Sequence, residues 1–188
     1  MSKLSLGQAN KIGNTDMKRS ESFLALLVLA ALSASTSAQA GTAEIARGKY
    51  LVQLGGCNDC HTPGYLLGKP DMARYLGGSD VGFQLPGLGV FVAPNLTPDE
   101  ETGLGNWSKE EITTALTTGV LPDGRVLAPI MPWRSFANLT KSDAEAIAAF
   151  LKSLPAVRNK VPGPFGPTEA PTTFVMTVVA PAAWRPAN

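Results

Sequence analysis

The stretch GGCNDCHTPG, residues 55–64, holds both cysteines and the only histidine of a 188-residue chain. A disulfide between Cys57 and Cys60 would close a loop with only two intervening residues, where the entropic stabilisation of a cross-link is smallest. A redox motif of the thioredoxin kind needs a strand leading into a helix, whereas a helix-like segment precedes this pair. A structural zinc site takes four Cys or His ligands, and the whole sequence offers three. The pattern that fits is Cys-x-x-Cys-His, the attachment site of one covalent haem c. Cys57 and Cys60 then add to the two vinyl groups on one edge of the porphyrin. His61 turns beneath the ring and gives a nitrogen to iron.

The other axial position is read by elimination. With a single histidine a second imidazole from the chain is impossible, which leaves a methionine, a weaker substitute such as lysine or water, or an open position. Beyond residue 40 the methionines are Met72, Met131 and Met176. Met72 sits in KPDMARYLGG, a loop or surface turn close after His61. Met176 sits in TTFVMTVV, an alternating strand-like run where a buried core methionine is expected. Met131 sits in LAPIMPWRSF, where Pro129 and Pro132 stiffen the backbone and prevent a regular helix across the pair. A ligand held toward iron suits such a pre-set extended loop, so Met131 is the expected second ligand.

The N-terminus reads as a secretory signal peptide over residues 1–40. Lys18 and Arg19 precede the 12-residue apolar run FLALLVLAALSA at 23–34, and Ala38-Gln39-Ala40 supplies the small-x-small cleavage pattern. That run is well short of the roughly 20 residues needed to cross a bilayer. A start at Met17 would give a more ordinary signal length. Cleavage leaves 148 residues, enough for one domain. They carry 12 of the 16 Lys and Arg and 13 of the 15 Asp and Glu, a formal charge of −1. No basic patch suggests nucleic acid. The expected location is the periplasm, with no membrane span in the mature chain.

The fold expected around this motif is mainly α, three to four helices about one haem, over residues 41–160. Ala43, Ala46, Tyr50, Leu51 and Leu54 recur as one apolar helical face, and Gly55-Gly56 ends that helix at the cysteines. Ser108 and Glu111 form a capping box ahead of the stripe Ile112, Ala115 and Leu116, with Gly119 as stop. A further helix starts at Thr140 and Asp143 as a Thr-x-x-Asp cap and ends before Pro155. Its inner face is Ala144, Ile147, Ala148, Leu151 and Leu154, flanked by Phe150. Gly48 leaves a gap that Phe150 fills if the first and last helices cross. A hairpin or irregular loop turns at Pro86-Gly87, and Asp99 to Glu101 read as a solvated acidic loop. Residues 161–188, rich in Pro and Gly, are expected to lie over the domain surface, with a strand at 174–179.

The segment 48–157 resembles the class I c-type cytochromes, and more narrowly the mono-haem cytochrome domains of bacterial complexes that dehydrogenate alcohols, aldehydes or sugar acids such as gluconate. The residues carrying the likeness are CNDCH at 57–61, PNLTPDEETGLGNWS at 94–108, ALTTGVLPDGR at 115–125, APIMPW at 128–133 and AIAAFLKSLPAV at 146–157. The resemblance implies thioethers at Cys57 and Cys60 and axial ligation by His61 and Met131. Such subunits often carry three haem domains and a membrane-anchoring end, whereas this sequence has one haem motif and a Pro-rich tail.

Iron with both axial positions filled by protein suits one-electron transfer, and methionine opposite histidine raises the reduction potential. The expectation is a soluble, exported electron carrier without enzymatic activity of its own. It would take an electron from a dehydrogenase or quinol-oxidising complex and pass it toward a terminal oxidase or reductase. The alternative is a ligand sensor or peroxidase-like enzyme in which Met131 leaves iron. The absence of a second histidine to act as a distal acid or base argues against it. Arg125 and Arg134 are candidates to neutralise haem propionates, with surface or salt-bridge roles at least as favoured. Trp107 and Trp133 are candidates to pack beside the porphyrin, with an ordinary core role favoured for Trp107; none of the four is assigned to the site.

Overall fold

The computed structural model describes residues 41–185. The signal peptide expected over residues 1–40 lies outside them. The described chain is helical over 41–54 (α1) and, after Gly55-Gly56, over Cys57–His61 (α2). A single 3-10 turn at Met72–Arg74 leads to the strands β1 (Val81–Leu85) and β2 (Gly89–Val92). Helices α3 (Lys109–Thr118), α4 (Trp133–Phe136) and α5 (Lys141–Ser153) follow, and then β3 (Phe174–Met176). Among the described residues no helix is long and apolar enough to cross a membrane.

The helix ends follow their sequence signals. Ser108 accepts from the Glu111 amide while the Glu111 carboxylate accepts from the Ser108 amide, closing the capping box of α3. Gly119 ends α3 in the left-handed region at φ 75°, which a side chain would resist. Thr140 caps α5 by accepting from the Asp143 amide. The Asp143 carboxylate accepts from Arg47 on α1, 2.8 Å away. This guanidinium holds the Asp143 carboxyl below the ordinary carboxylate range.

The core gathers on α5. Ala146 through Leu151 are all buried, and Ile147, Ala148, Phe150 and Leu151 pack with Val52 of α1 and Ile112 of α3. Large apolar side chains of this kind contribute roughly 1.5–3 kcal/mol each on burial. Of the expected face of α1 only Leu51 packs against the core. Tyr50 and Leu54 are exposed, Ala43 and Ala46 as well, and the buried positions are Gly48 and Val52. The reason is contact with α5. A Cβ placed on Gly48 would run into the Ala146 carbonyl oxygen and come within 2.8 Å of the Phe150 Cβ. The helices do cross there, but the gap at Gly48 is filled by backbone of α5 and the base of Phe150 rather than by its ring. A face centred on a glycine carries too little apolar signal to be read by periodicity.

The hairpin forms as expected: β1 and β2 pair antiparallel, with Leu85 opposite Gly89 across Pro86, Gly87 and Leu88. β3 adds to the other side of β1 in parallel, giving the order β2-β1-β3. Phe165, buried, exchanges two backbone hydrogen bonds with Val90, so the segment after residue 160 runs along the hairpin. The strand expected at 174–179 is three residues long, and Met176 is exposed at 44%, not buried. β3 is an edge strand whose three side chains are all exposed, so alternation there did not mark a core face.

Replacing Gly48 by alanine should destabilise the protein by about 1–3 kcal/mol, the usual cost of overpacking. Helix propensity alone gives the opposite sign, a gain of about 1 kcal/mol. Gly41→Ala, whose Cβ meets nothing within 4 Å, serves as the control in urea unfolding.

Candidate functional site

Gly56 lies at φ 64° and ψ 26°, in the left-handed region, and serves as the N-cap of α2. The chain can therefore leave one helix and start a new one within two residues. Cys57 and Cys60 lie three positions apart on this short helix, so their side chains emerge on neighbouring faces one turn apart. Both thiols are free and half-buried. Burial pushes the Cys57 thiol up to about 11 and raises that of Cys60 as well, with Asp59 contributing to both.

His61 closes α2 and is buried, 6% exposed. Its Nδ1 lies 2.7 Å from the carbonyl oxygen of Pro94. A carbonyl can only accept, so Nδ1 carries the proton and Nε2 carries the lone pair. Burial lowers the pKa of the ring and keeps it neutral. A neutral imidazole with one nitrogen anchored to backbone and the other basic is the form that ligates a metal, and the anchoring bond raises its donor strength.

The segment that supplies Pro94 is built from polar groups withdrawn from water. Asn95 and Thr97 are 1% and 0% exposed. Asn95 Oδ1 accepts from the Thr97 amide and hydroxyl at 2.9 and 2.8 Å. Its Nδ2 donates to the Val157 carbonyl at 2.6 Å and to Thr102 Oγ1 at 3.1 Å. Asp99, which the sequence assigns to a solvated acidic run, is half-buried and accepts from the Thr102 amide and hydroxyl. Those bonds hold its carboxyl below the ordinary range. Glu100 and Glu101 are exposed as expected, and Glu101 pairs with Arg158 at 2.6 Å.

A second layer ties this loop to the cysteine turn. Gly78 donates to the His61 carbonyl, Ser79 to Ala93 and Leu96 to Leu76, all between 2.8 and 2.9 Å. The Leu76 amide in turn donates to the buried Thr62 hydroxyl at 3.0 Å. Leu76 is fully buried at φ 58°, and among the described residues it alone is a non-glycine in the left-handed region. Such a backbone costs on the order of 1–3 kcal/mol and persists where surrounding structure over-determines it. The bonds to Thr62 and Leu96 on either side of the Leu76 unit supply that constraint.

Met131 is half-buried in a turn closed by its own amide donating to the Ala128 carbonyl, and its carbonyl accepts from the Trp133 amide at the start of α4. The proline-flanked stretch is thus a tight turn, not an extended loop. Met72 is 60% exposed on its surface turn. Arg125 pairs with Asp123 at 2.7 Å on the surface. Arg134 lies over the Trp133 ring, 4.4 Å from its centroid. Trp107 packs against the α5 core. Trp133 packs on Gly119, and its buried Nε1 has no hydrogen-bond partner. An orphaned buried donor is uncommon in a folded chain.

These residues fit a covalently held haem. Two thiols one turn apart can attach a porphyrin edge, and a buried imidazole whose tautomer presents Nε2 can ligate its iron, while Trp133 Nε1 is a buried group still short of an acceptor. Comparison with known proteins agrees. Residues 45–155 match the cytochrome c family, and the chain belongs to that family. It is 36% identical over 154 residues to the cytochrome c subunit of a quinone-dependent alcohol dehydrogenase from Gluconobacter oxydans, covering 79% of this chain and 30% of that protein. It is 35% identical over 113 residues to the fructose dehydrogenase cytochrome subunit of Gluconobacter japonicus, covering 58% and 22%. It is also 35% identical over 126 residues to the gluconate 2-dehydrogenase cytochrome c subunit of Pantoea cypripedii, covering 66% and 26%. The chain therefore spans less than a third of the length of each of these relatives.

Sequence reasoning pointed to the motif but missed Pro94, Asn95, Thr97 and Thr62 as the residues that hold it. The available signal was the Asn95-x-Thr97 spacing, an Asx-turn pattern. Thr62→Val should leave the buried Leu76 amide without an acceptor and lower stability by about 1–3 kcal/mol, read from the denaturant midpoint of the purified protein.

Proposed function

We propose that this protein is an exported electron carrier with one haem c, joined through Cys57 and Cys60 and ligated by His61 and Met131. The observation that carries the reading is His61, buried and neutral, with Nδ1 committed to the Pro94 carbonyl 2.7 Å away and Nε2 left basic. When bound, haem c supplies a reversible one-electron couple. The chain's own part is to fix the ligands and keep them unchanged as the charge on iron changes. His61 is held at both its ring and its carbonyl, the latter accepting from Gly78 at 2.8 Å. Met131 sits between Pro129 and Pro132 in a closed turn, which limits the ways its side chain can swing. Small ligand movement keeps reorganisation small, which is what electron transfer demands.

The location proposed is the periplasm, reached through cleavage of residues 1–40. The electron source proposed is a dehydrogenase, or a quinol-oxidising complex, and the destination a terminal oxidase or reductase. The relatives named as cytochrome subunits of alcohol, fructose and gluconate dehydrogenases support a dehydrogenase as the partner. In this reading the protein carries electrons and performs no substrate chemistry of its own.

Optical spectra of the holoprotein and of Met131→Ala test the ligation. The ferric parent is expected to show the sulfur-to-iron charge-transfer band, which the variant loses while gaining carbon monoxide binding in the ferrous state and a lower potential. A parent that is high-spin and binds carbon monoxide readily would sink the carrier reading. For the attachment, Cys57→Ala with Cys60→Ala should abolish haem staining on a denaturing gel, whereas the parent keeps it.

A further inference from the structure

Asn95 is separated by 34 positions from the histidine, yet its peptide unit includes the carbonyl that orients the ring. The Pro94 carbonyl and the Asn95 nitrogen belong to one rigid plane. Where Asn95 is anchored, that oxygen is fixed too. The Asn95 side chain makes four hydrogen bonds, two at Oδ1 and two at Nδ2, which is the full capacity of an amide. Two go to Thr97 within the same loop. The others reach Thr102 on the far limb of the loop and Val157, beyond the end of α5. The Thr102 hydroxyl also accepts from the Asn159 amide, and Asn159 Nδ2 donates to the Gly77 carbonyl at 2.7 Å. The loop is thereby clamped between the segment after α5 and the Leu76–Ser79 turn that grips the His61 carbonyl.

We infer that Asn95 is a positioning residue for the iron ligand, acting through the Pro94 carbonyl to set the length and direction of the His61 Nδ1–H bond and so the electron-donor strength of Nε2. A short, fixed bond pushes electron density onto the imidazole and favours ferric iron. Loosening the clamp weakens that push. The inference rests on the His61 ligation proposed above.

The test uses the purified holoprotein and three variants: Asn95→Ala, Thr102→Val and Ser108→Ala. Ser108→Ala removes the α3 cap and serves as a destabilised control remote from the clamp. Two quantities are read beside the thermal midpoint: the reduction potential, and the His61 Nδ1–H proton resonance of the ferrous protein with its rate of exchange into deuterated water. Asn95→Ala is expected to shift the potential to more positive values and speed exchange of that proton. Thr102→Val should do the same to a smaller extent. Ser108→Ala should lower the midpoint and leave both quantities at the parent's values. If Asn95→Ala lowers only the midpoint, Asn95 serves the fold alone and the inference is wrong. Should Asn95→Ala not accumulate as folded protein, Thr102→Val decides by the same two readings, and parent-like values overturn the inference. A parent whose spectrum shows no histidine-ligated haem instead overturns the ligation reading itself, so the two failures are told apart.

Discussion

The bond from His61 Nδ1 to the Pro94 carbonyl is the constraint on which the rest of the structure turns. It spans 33 positions of sequence and joins a five-residue helix to a loop with no regular structure. By itself one hydrogen bond contributes little net stability. Its importance is informational: it decides which ring nitrogen holds the proton. Burial then removes the competing charged form. Everything around it serves to keep an acceptor at that spot, including a leucine held in a backbone conformation that leucine resists. Strain at Leu76 and full satisfaction of Asn95 are two aspects of the same requirement. A loop without helix or sheet can be rigid only if its polar groups are paired individually.

The helical part meets a different demand. The crossing of α1 on α5 has to bring the cysteine-bearing turn against the core, and close approach matters more there than apolar area. Gly48 gives up side-chain contact so that the backbone of α5 can fit, and the Arg47–Asp143 pair lies beside that contact. As an exposed pair, Arg47–Asp143 adds direction more than stability. Lys152 of α5 reaches over to donate to the carbonyls of Leu104, Gly105 and Trp107, so the same helix that forms the core also ties the end of the loop preceding α3.

What was legible in the sequence was whatever depended on local chemistry. The capping box of α3, the Thr140 cap, the glycine stops and the Pro86-Gly87 hairpin each follow from a few neighbouring residues, and they stand in the structure where the sequence put them. The haem motif was legible because three reactive side chains with fixed spacing admit few uses. Faces were less legible. The α1 face was misread because its contact is made by glycine, and Met176 because alternation in an edge strand mimics a half-buried one. The clamp around Asn95 was hidden for a third reason: its partners lie 62 and more positions away in part, and no period or spacing reports a hydrogen bond between two irregular segments. Acidic residues 99 to 101 looked uniform, yet one of the three is structural and two are solvated.

The same clamp also bears on where the domain ends. The match to the cytochrome c family ends at residue 155, just after α5. Val157 and Asn159, which tie down the loop beside the histidine, lie past that limit. A boundary drawn by likeness and a boundary drawn by hydrogen bonding therefore differ, and the second is the one the histidine obeys. Val157 follows His61 by almost a hundred positions, so the chain beyond α5 has to dock before the loop that carries the Pro94 carbonyl gains these ties. Until then the His61 ring lacks a fixed acceptor.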